Sequence, residues 1–222
     1  MHLRTLRCEW LPAPTPTRKL IVVLHGRGDS SAGFRWLPGA LALRGLNFLL
    51  VNAPDLDFVG YSWYDVAPRQ APGVERSRAR LERLFLEIQH HGYSAEDTVL
   101  FGFSQGCLMA LEWGGRTTLP LAGYVGVSGY CLDTDALLAD LSEQARRPVW
   151  LVTHGRHDEM LPLSITEAQM FELRAGGWPI RFETYDKAHA VDGFCELPAI
   201  ARFVAERLGL DRPWSSPPSR SG

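Results

Sequence analysis

Long apolar runs are missing from this chain. The longest, residues 20–24 and 48–51, fall far short of the roughly 18 to 20 residues a membrane span requires, so no bilayer-crossing helix is expected. A secretory signal is also missing: residues 1–18 carry charges and three prolines but neither an apolar stretch nor a small-residue cleavage site, which points to cytoplasmic residence. No charge of one sign dominates. With 23 Lys and Arg against 25 Asp and Glu, the formal net charge is −2, which argues against nucleic acid or another polyanion as partner. The densest charged stretch, residues 75–83, interleaves both signs, as a solvated helix face does. Cysteine is sparse. Cys8, Cys107, Cys131 and Cys195 are widely spaced, with no Cys-x-x-Cys pair, so buried reduced thiols are expected in place of a disulfide framework or zinc site. Internal repeats are absent too.

The 222 residues suffice for a sizeable core yet stay below the length at which cores usually split. One domain over residues 1–210 is expected. The Pro- and Ser-rich tail, 211–222, cannot build a core and is read as disordered. Apolar, β-branched runs at 20–24, 48–51, 99–103, 124–127 and 149–152 read as strands buried on both faces, with a weaker one at 180–185. Between them, Leu81, Leu84, Phe85 and Ile88 follow helical spacing, as do Leu197, Ile200, Val204 and Leu208. This alternation predicts a doubly wound α/β fold: a mostly parallel sheet with helices on both faces, and functional residues on the loops leaving the strands' carboxyl ends. Residues 52–73 break the rhythm as a long connection rich in Gly, Pro and aromatics. Long ordered loops usually serve function, and Trp63 and Tyr64 are unusual residues to leave on an idle one.

The sharpest signal is Gly102-Phe103-Ser104-Gln105-Gly106, following the 99–103 strand and opening a helical segment at 107–113. So tight a strand–turn–helix brings its flanks into contact and needs glycine two residues either side of the serine. It lifts the hydroxyl above the sheet, with a helix N-terminus behind it to stabilise an oxyanion. Ser104 is therefore the candidate nucleophile.

A serine hydroxyl needs a base, and an imidazole of near-neutral pKa suits the task. In the order nucleophile, acid, base, three histidines are available: His154, His157 and His189. His189 lies past the last predicted strand and before the terminal amphipathic helix, where a loop-borne base belongs. His154 and His157 leave no room for an acid upstream of them and read as strand-end or turn residues. Asp158 is the candidate acid, on the loop after the 149–152 strand, where Gly155 breaks the strand and Pro162 resets the chain. Its neighbour Glu159, and Asp133 after the 124–127 strand, stay open as rivals. A metal reading of His154, His157 and Asp158 lacks a second cluster to complete the coordination. Acyl transfer also needs oxyanion donors, assigned here to the amides of Gln105 and of Arg27 in Leu24-His25-Gly26-Arg27-Gly28-Asp29. His25, upstream of the nucleophile, reads as a structural hydrogen-bonding residue.

From about Leu20 to Leu208 the chain resembles the carboxylesterase and acyl-protein thioesterase (phospholipase/carboxylesterase) family of α/β hydrolases. The resemblance rests on residues 24–29, Ala53-Pro54 with Trp63-Tyr64-Asp65, residues 102–106, His154-Gly155 with Asp158 and Leu161-Pro162, and His189. It implies an α/β-hydrolase fold with Ser104, Asp158 and His189 as triad and Arg27 and Gln105 as oxyanion donors. Two positions depart from the family pattern. Arg27 replaces an apolar residue, which leaves the backbone donor but could place a guanidinium over the acyl site and favour polar or acidic substrates. Ala188 stands where relatives often have glycine, which would cost energy if that position needed a positive φ.

The resulting expectation is a serine hydrolase without a large cap, cleaving carboxylic esters or thioesters through an acyl-enzyme, with no cofactor and no metal. Small esters or thioesters, acylated proteins and lysophospholipids are the candidate substrates. Trp63, Met160 and Leu161 are the candidate acyl-binding wall. An acyltransferase using the same triad, or a non-catalytic binding protein of the same fold, stays open as an alternative.

Overall fold

The computed structural model describes residues 3–211; most of the tail proposed as disordered lies outside the described residues. Seven strands form the main sheet: β1 (Cys8–Leu11), β2 (Leu20–Leu24), β3 (Asn47–Val51), β6 (Thr98–Phe103), β7 (Gly123–Val127), β8 (Trp150–Gly155) and β9 (Ile180–Tyr185). β4 (Asp55–Leu56) and β5 (Tyr61–Ser62) make a separate small hairpin. The order across the main sheet is β1-β3-β2-β6-β7-β8-β9, parallel throughout except for the antiparallel edge strand β1. All six predicted strands are present, most of them a residue or more longer than predicted. β1 and the hairpin were not legible.

The sheet's two faces follow from the two-residue period of each strand. On β2, Leu20, Val22 and Leu24 point into one core and Ile21 and Val23 into the other. β6 and β8 divide likewise, Leu100, Trp150 and Val152 going to the first core and Val99, Phe101 and Leu151 to the second. The first core is covered by α2 (Gln70–His90), α3 (Gln105–Gly114) and α5 (Leu163–Ala175). It holds the large aromatics, with Tyr124 stacked on Trp150 at 3.8 Å and Phe85 on Trp113 at 4.1 Å between ring centroids. The second is covered by α1 (Leu37–Leu41) and α6 (Glu196–Leu208). α4 (Thr134–Ala139) follows β7 and is capped by Asp133, whose carboxylate accepts from the Ala136 amide at 2.9 Å.

Crossover connections bring the carboxyl ends of β2, β6, β7, β8 and β9 to one edge, and the loops leaving them share the space above it. Among the described residues no helix is long and apolar enough to cross a membrane.

Candidate active site

β6 ends at Phe103, and Ser104 turns the chain into α3 with φ 54° and ψ −115°. A non-glycine residue at positive φ is strained. It is held because its amide donates to Val127 O on β7 at 2.9 Å while the Cys107 and Leu108 amides bond back to its carbonyl. The glycines permit the closeness: a Cβ on Gly102 would overlap the Gly106 carbonyl, and one on Gly106 would overlap the Leu24 carbonyl.

The loop after β9 carries His189 over this turn. Its Nε2 lies 2.9 Å from Ser104 Oγ, and its Nδ1 lies 2.7 Å from Asp158 Oδ2. Because the carboxylate accepts, Nδ1 carries the proton and Nε2 is left to receive one. Asp158 is buried, and its Oδ1 accepts from the amides of Met160 at 3.1 Å and Leu161 at 2.8 Å. Phe103 packs on the His189 imidazole at 5.2 Å. The structure thus brings Ser104, His189 and Asp158 together in one hydrogen-bonded series. Asp133 is occupied capping α4, and Glu159 is exposed.

Three other histidines are committed elsewhere. His154 is buried, its Nε2 donating to Leu161 O at 2.8 Å and lying 3.5 Å from Asp158 Oδ2. Burial holds its pKa below the usual imidazole range. His157 pairs with Asp186 at the surface. His25 donates from Nδ1 to Gly26 O at 2.6 Å and accepts the Ala53 amide at Nε2, 3.0 Å away. Burial lowers its pKa too, and both ring nitrogens are used in holding the 25–29 loop.

That loop lies against the elbow: a Cβ on Gly26 would stand 3.2 Å from Ser104 Cβ. Among the described residues neither the Arg27 nor the Gln105 amide donates to another protein group, which leaves both free for a ligand. The Gln105 side chain was not anticipated. Its Oε1 accepts from Ser62 Oγ at 3.2 Å and Trp63 N at 3.0 Å, and its Nε2 donates to Tyr64 O at 2.9 Å, which staples α3 to residues 62–64. This second role of the glutamine has no sequence signal, because its partners, one hydroxyl and two backbone groups, lie about 40 positions away.

Three expectations need correction. Trp63 is not part of a binding wall: it is 0% exposed, with its indole N–H on His25 O at 2.9 Å, so it braces the 25–29 loop. Arg27 does not project freely, because its Nε donates to Asp57 Oδ2 at 2.7 Å, and the guanidinium holds the Asp57 carboxyl below its ordinary range. Cys195 is exposed, whereas burial pushes the Cys107 and Cys131 thiols up to about 12. The concern over Ala188 does not arise, since the non-glycine residues at positive φ are Ala42, Ser104 and Ser128 among those described. Met160 is 72% exposed and Leu161 half-buried, and the amides of both donate to Asp158. From Arg27 a groove of about 660 Å³ runs between the hairpin and the start of α2, lined by Asp57, Ser62, Tyr64, Arg69 and Arg76 among others.

Comparison with known proteins agrees with this architecture. A solved structure of esterase PE8 superimposes with a TM-score of 0.82 at 27% identity, covering 91% of this chain and 99% of that one. Acyl-protein thioesterase 1 of Yarrowia lipolytica is 32% identical over 168 residues, 68% of this chain and 74% of that protein. The protein of the same name from Saccharomyces cerevisiae is 26% identical over 222 residues, 87% and 94% of the two chains. The phospholipase/carboxylesterase family model matches residues 11–206. With a doubly wound sheet, a strained serine at the end of its β6 strand and a match spanning nearly all the described residues, this chain belongs to the phospholipase/carboxylesterase family of α/β hydrolases.

Proposed function

We propose that this protein hydrolyses carboxylic esters or thioesters through an acyl-enzyme on Ser104. The observation that carries the reading is the series from Ser104 Oγ to His189 Nε2 and from His189 Nδ1 to the buried Asp158 carboxylate. His189 takes the hydroxyl proton as Oγ attacks the carbonyl carbon, and Asp158 stabilises the imidazolium that forms. The amides of Arg27 and Gln105 receive the oxyanion. His189 then returns the proton to the departing alcohol or thiol. Water, deprotonated by the same imidazole, releases the acid. Thioesters enter the proposal because relatives at 26 to 32% identity are named acyl-protein thioesterases; acylated proteins are accordingly the first macromolecular substrates to try, with lysophospholipids and small esters beside them.

A fluorophosphonate should label the parent on Ser104 and leave Ser104→Ala unlabelled, and the parent should release free acid from short ester and thioester substrates. Labelling without acid release, but with acyl transfer to an added alcohol or amine, would redirect the assignment to an acyltransferase. No labelling and no turnover would leave a binding protein of this fold.

A further inference from the structure

Two residues before His189 lies a lysine that the proposed reaction does not use. Lys187 is 7% exposed, and its ammonium makes two hydrogen bonds and one close ion pair. Nζ donates to Ser128 Oγ at 3.0 Å and to Ala190 O at 2.7 Å, and pairs with Glu196 Oε1 at 2.6 Å. Ser128 and Glu196 are each 0% exposed. Burial pulls the lysine's pKa down, while Glu196, Asp158 and Asp192 act to raise it.

Each contact belongs to a different part of the site. Ser128 directly follows β7, whose last residue, Val127, accepts the Ser104 amide. Ala190 is the residue after His189. Glu196 opens α6 and accepts the Asp192 amide at 2.8 Å, while the Asp192 carboxylate accepts the Cys195 and Glu196 amides in return, at 2.6 and 3.1 Å. The lysine's own carbonyl accepts the His157 amide at 3.0 Å, next to Asp158, and a Cβ on Gly155 would overlap that same carbonyl. One residue therefore ties the nucleophile side, the acid loop, the base loop and the terminal helix together.

We propose that Lys187, through Ser128, Ala190 and Glu196, is a positioning residue that holds His189 in register between Ser104 and Asp158. The inference rests on the serine-hydrolase reading above. An imidazole that must meet an oxygen on each side tolerates little displacement, and a misplacement of about 1 Å can cost on the order of 100-fold in rate. A neutral side chain of similar length would fill the space without making the three contacts.

Removing the lysine alone strands a buried carboxylate, which is strongly destabilising, so the test removes both charges, as Lys187→Met with Glu196→Gln. Melting temperature, kcat and KM on a short ester, fluorophosphonate labelling rate, and the downfield proton resonance of the His189 Nδ1–H bond are measured. The expectation is a folded protein whose kcat and labelling rate fall about 10- to 100-fold, with KM within about twofold and the downfield resonance broadened or lost. A folded double variant with parental kcat and resonance overturns the proposal. If the double variant does not fold, Ser128→Ala decides: a kcat several-fold lower at parental melting temperature supports positioning, and parental kcat overturns it. Failure of the parent itself to be labelled would defeat the hydrolase reading, while the resonance would still report whether Lys187 orders the histidine.

Discussion

The two sides of the elbow are built differently. On the side of His189 and Asp158 the carboxylate is buried and bonded more than once: Asp158 has four nitrogens within 3.5 Å, those of His189, Met160, Leu161 and His154. On the side of Arg27 the groove is bounded by exposed ion pairs, Arg27 with Asp57, Arg69 with Asp65 and Arg76 with Asp55, and by a hairpin tip where Leu56, Phe58 and Val59 stand in solvent. The first side fixes atoms that must meet within tenths of an ångström. The second is where the proposed reaction would meet the variable part of a substrate, and there screened and movable pairs of small net worth suffice. Substitutions should therefore be severe on one side and mild on the other.

The largest effect is expected at the elbow. Ser104→Ala should fold as the parent does and lose something like 10⁶-fold in kcat, His189→Ala nearly as much, and the double variant little more, because the pair acts as a unit. Parental ester hydrolysis by Ser104→Ala would sink the reaction scheme. Asp158→Asn comes next, at about 10⁴-fold in kcat, because an amide there favours the wrong imidazole tautomer; a loss of less than tenfold would mean that another group orients His189.

A smaller effect crosses both sides. His25 and His154 are held below the usual imidazole range by burial, and protonating His25 Nε2 would forfeit the Ala53 amide bond. A depressed folded-state pKa gives stability that is present above the unfolded value, about 6.5, and is lost as pH falls toward the folded one. The melting temperature should therefore drop by a few degrees between about pH 6.5 and pH 5. A flat profile would show that both rings take up protons without cost. The mildest effect belongs to the groove: Arg27→Leu keeps the backbone amide and frees Asp57, so kcat/KM on short neutral esters should stay within about threefold while the preference between charged and neutral esters shifts. Abolished turnover in a folded Arg27→Leu protein would place the guanidinium in the reaction itself.

How much of this was legible in the sequence depended on whether the deciding partners were near in the chain. Strands such as 20–24 are apolar at every position because both faces are covered, so composition alone exposes them. The edge strand β1, with half-buried Glu9 and Trp10, has no such run. The stretch read as one long connection to residue 73 contains a hairpin and the first turn of α2, whose Pro72 and Gly73 look like loop residues; Gly73 is there because a Cβ would press on Tyr64. The elbow could be found because its glycines and serine share one motif. Trp63 was placed on the wrong surface because the carbonyl that draws it inward belongs to His25, 38 positions away. Lys187 gave no signal for the same reason: Ser128 is 59 positions off, and a lysine beside a histidine ordinarily marks a solvated loop.

The staple made by Gln105 bears on how the substrate range of this protein could be altered. Its side chain grips Ser62, Trp63 and Tyr64 while its backbone amide is the proposed oxyanion donor, so changes at residues 62–64 should shift rate and selectivity together. Leu56, Phe58 and Val59, exposed at the hairpin tip and outside that grip, can be randomised with little disturbance of the chemistry, whereas a Cβ on Gly60 would overlap the Gly28 and Asp29 carbonyls of the oxyanion-side loop. A library confined to those three exposed positions should return variants that differ in which acyl groups they accept and share one turnover limit.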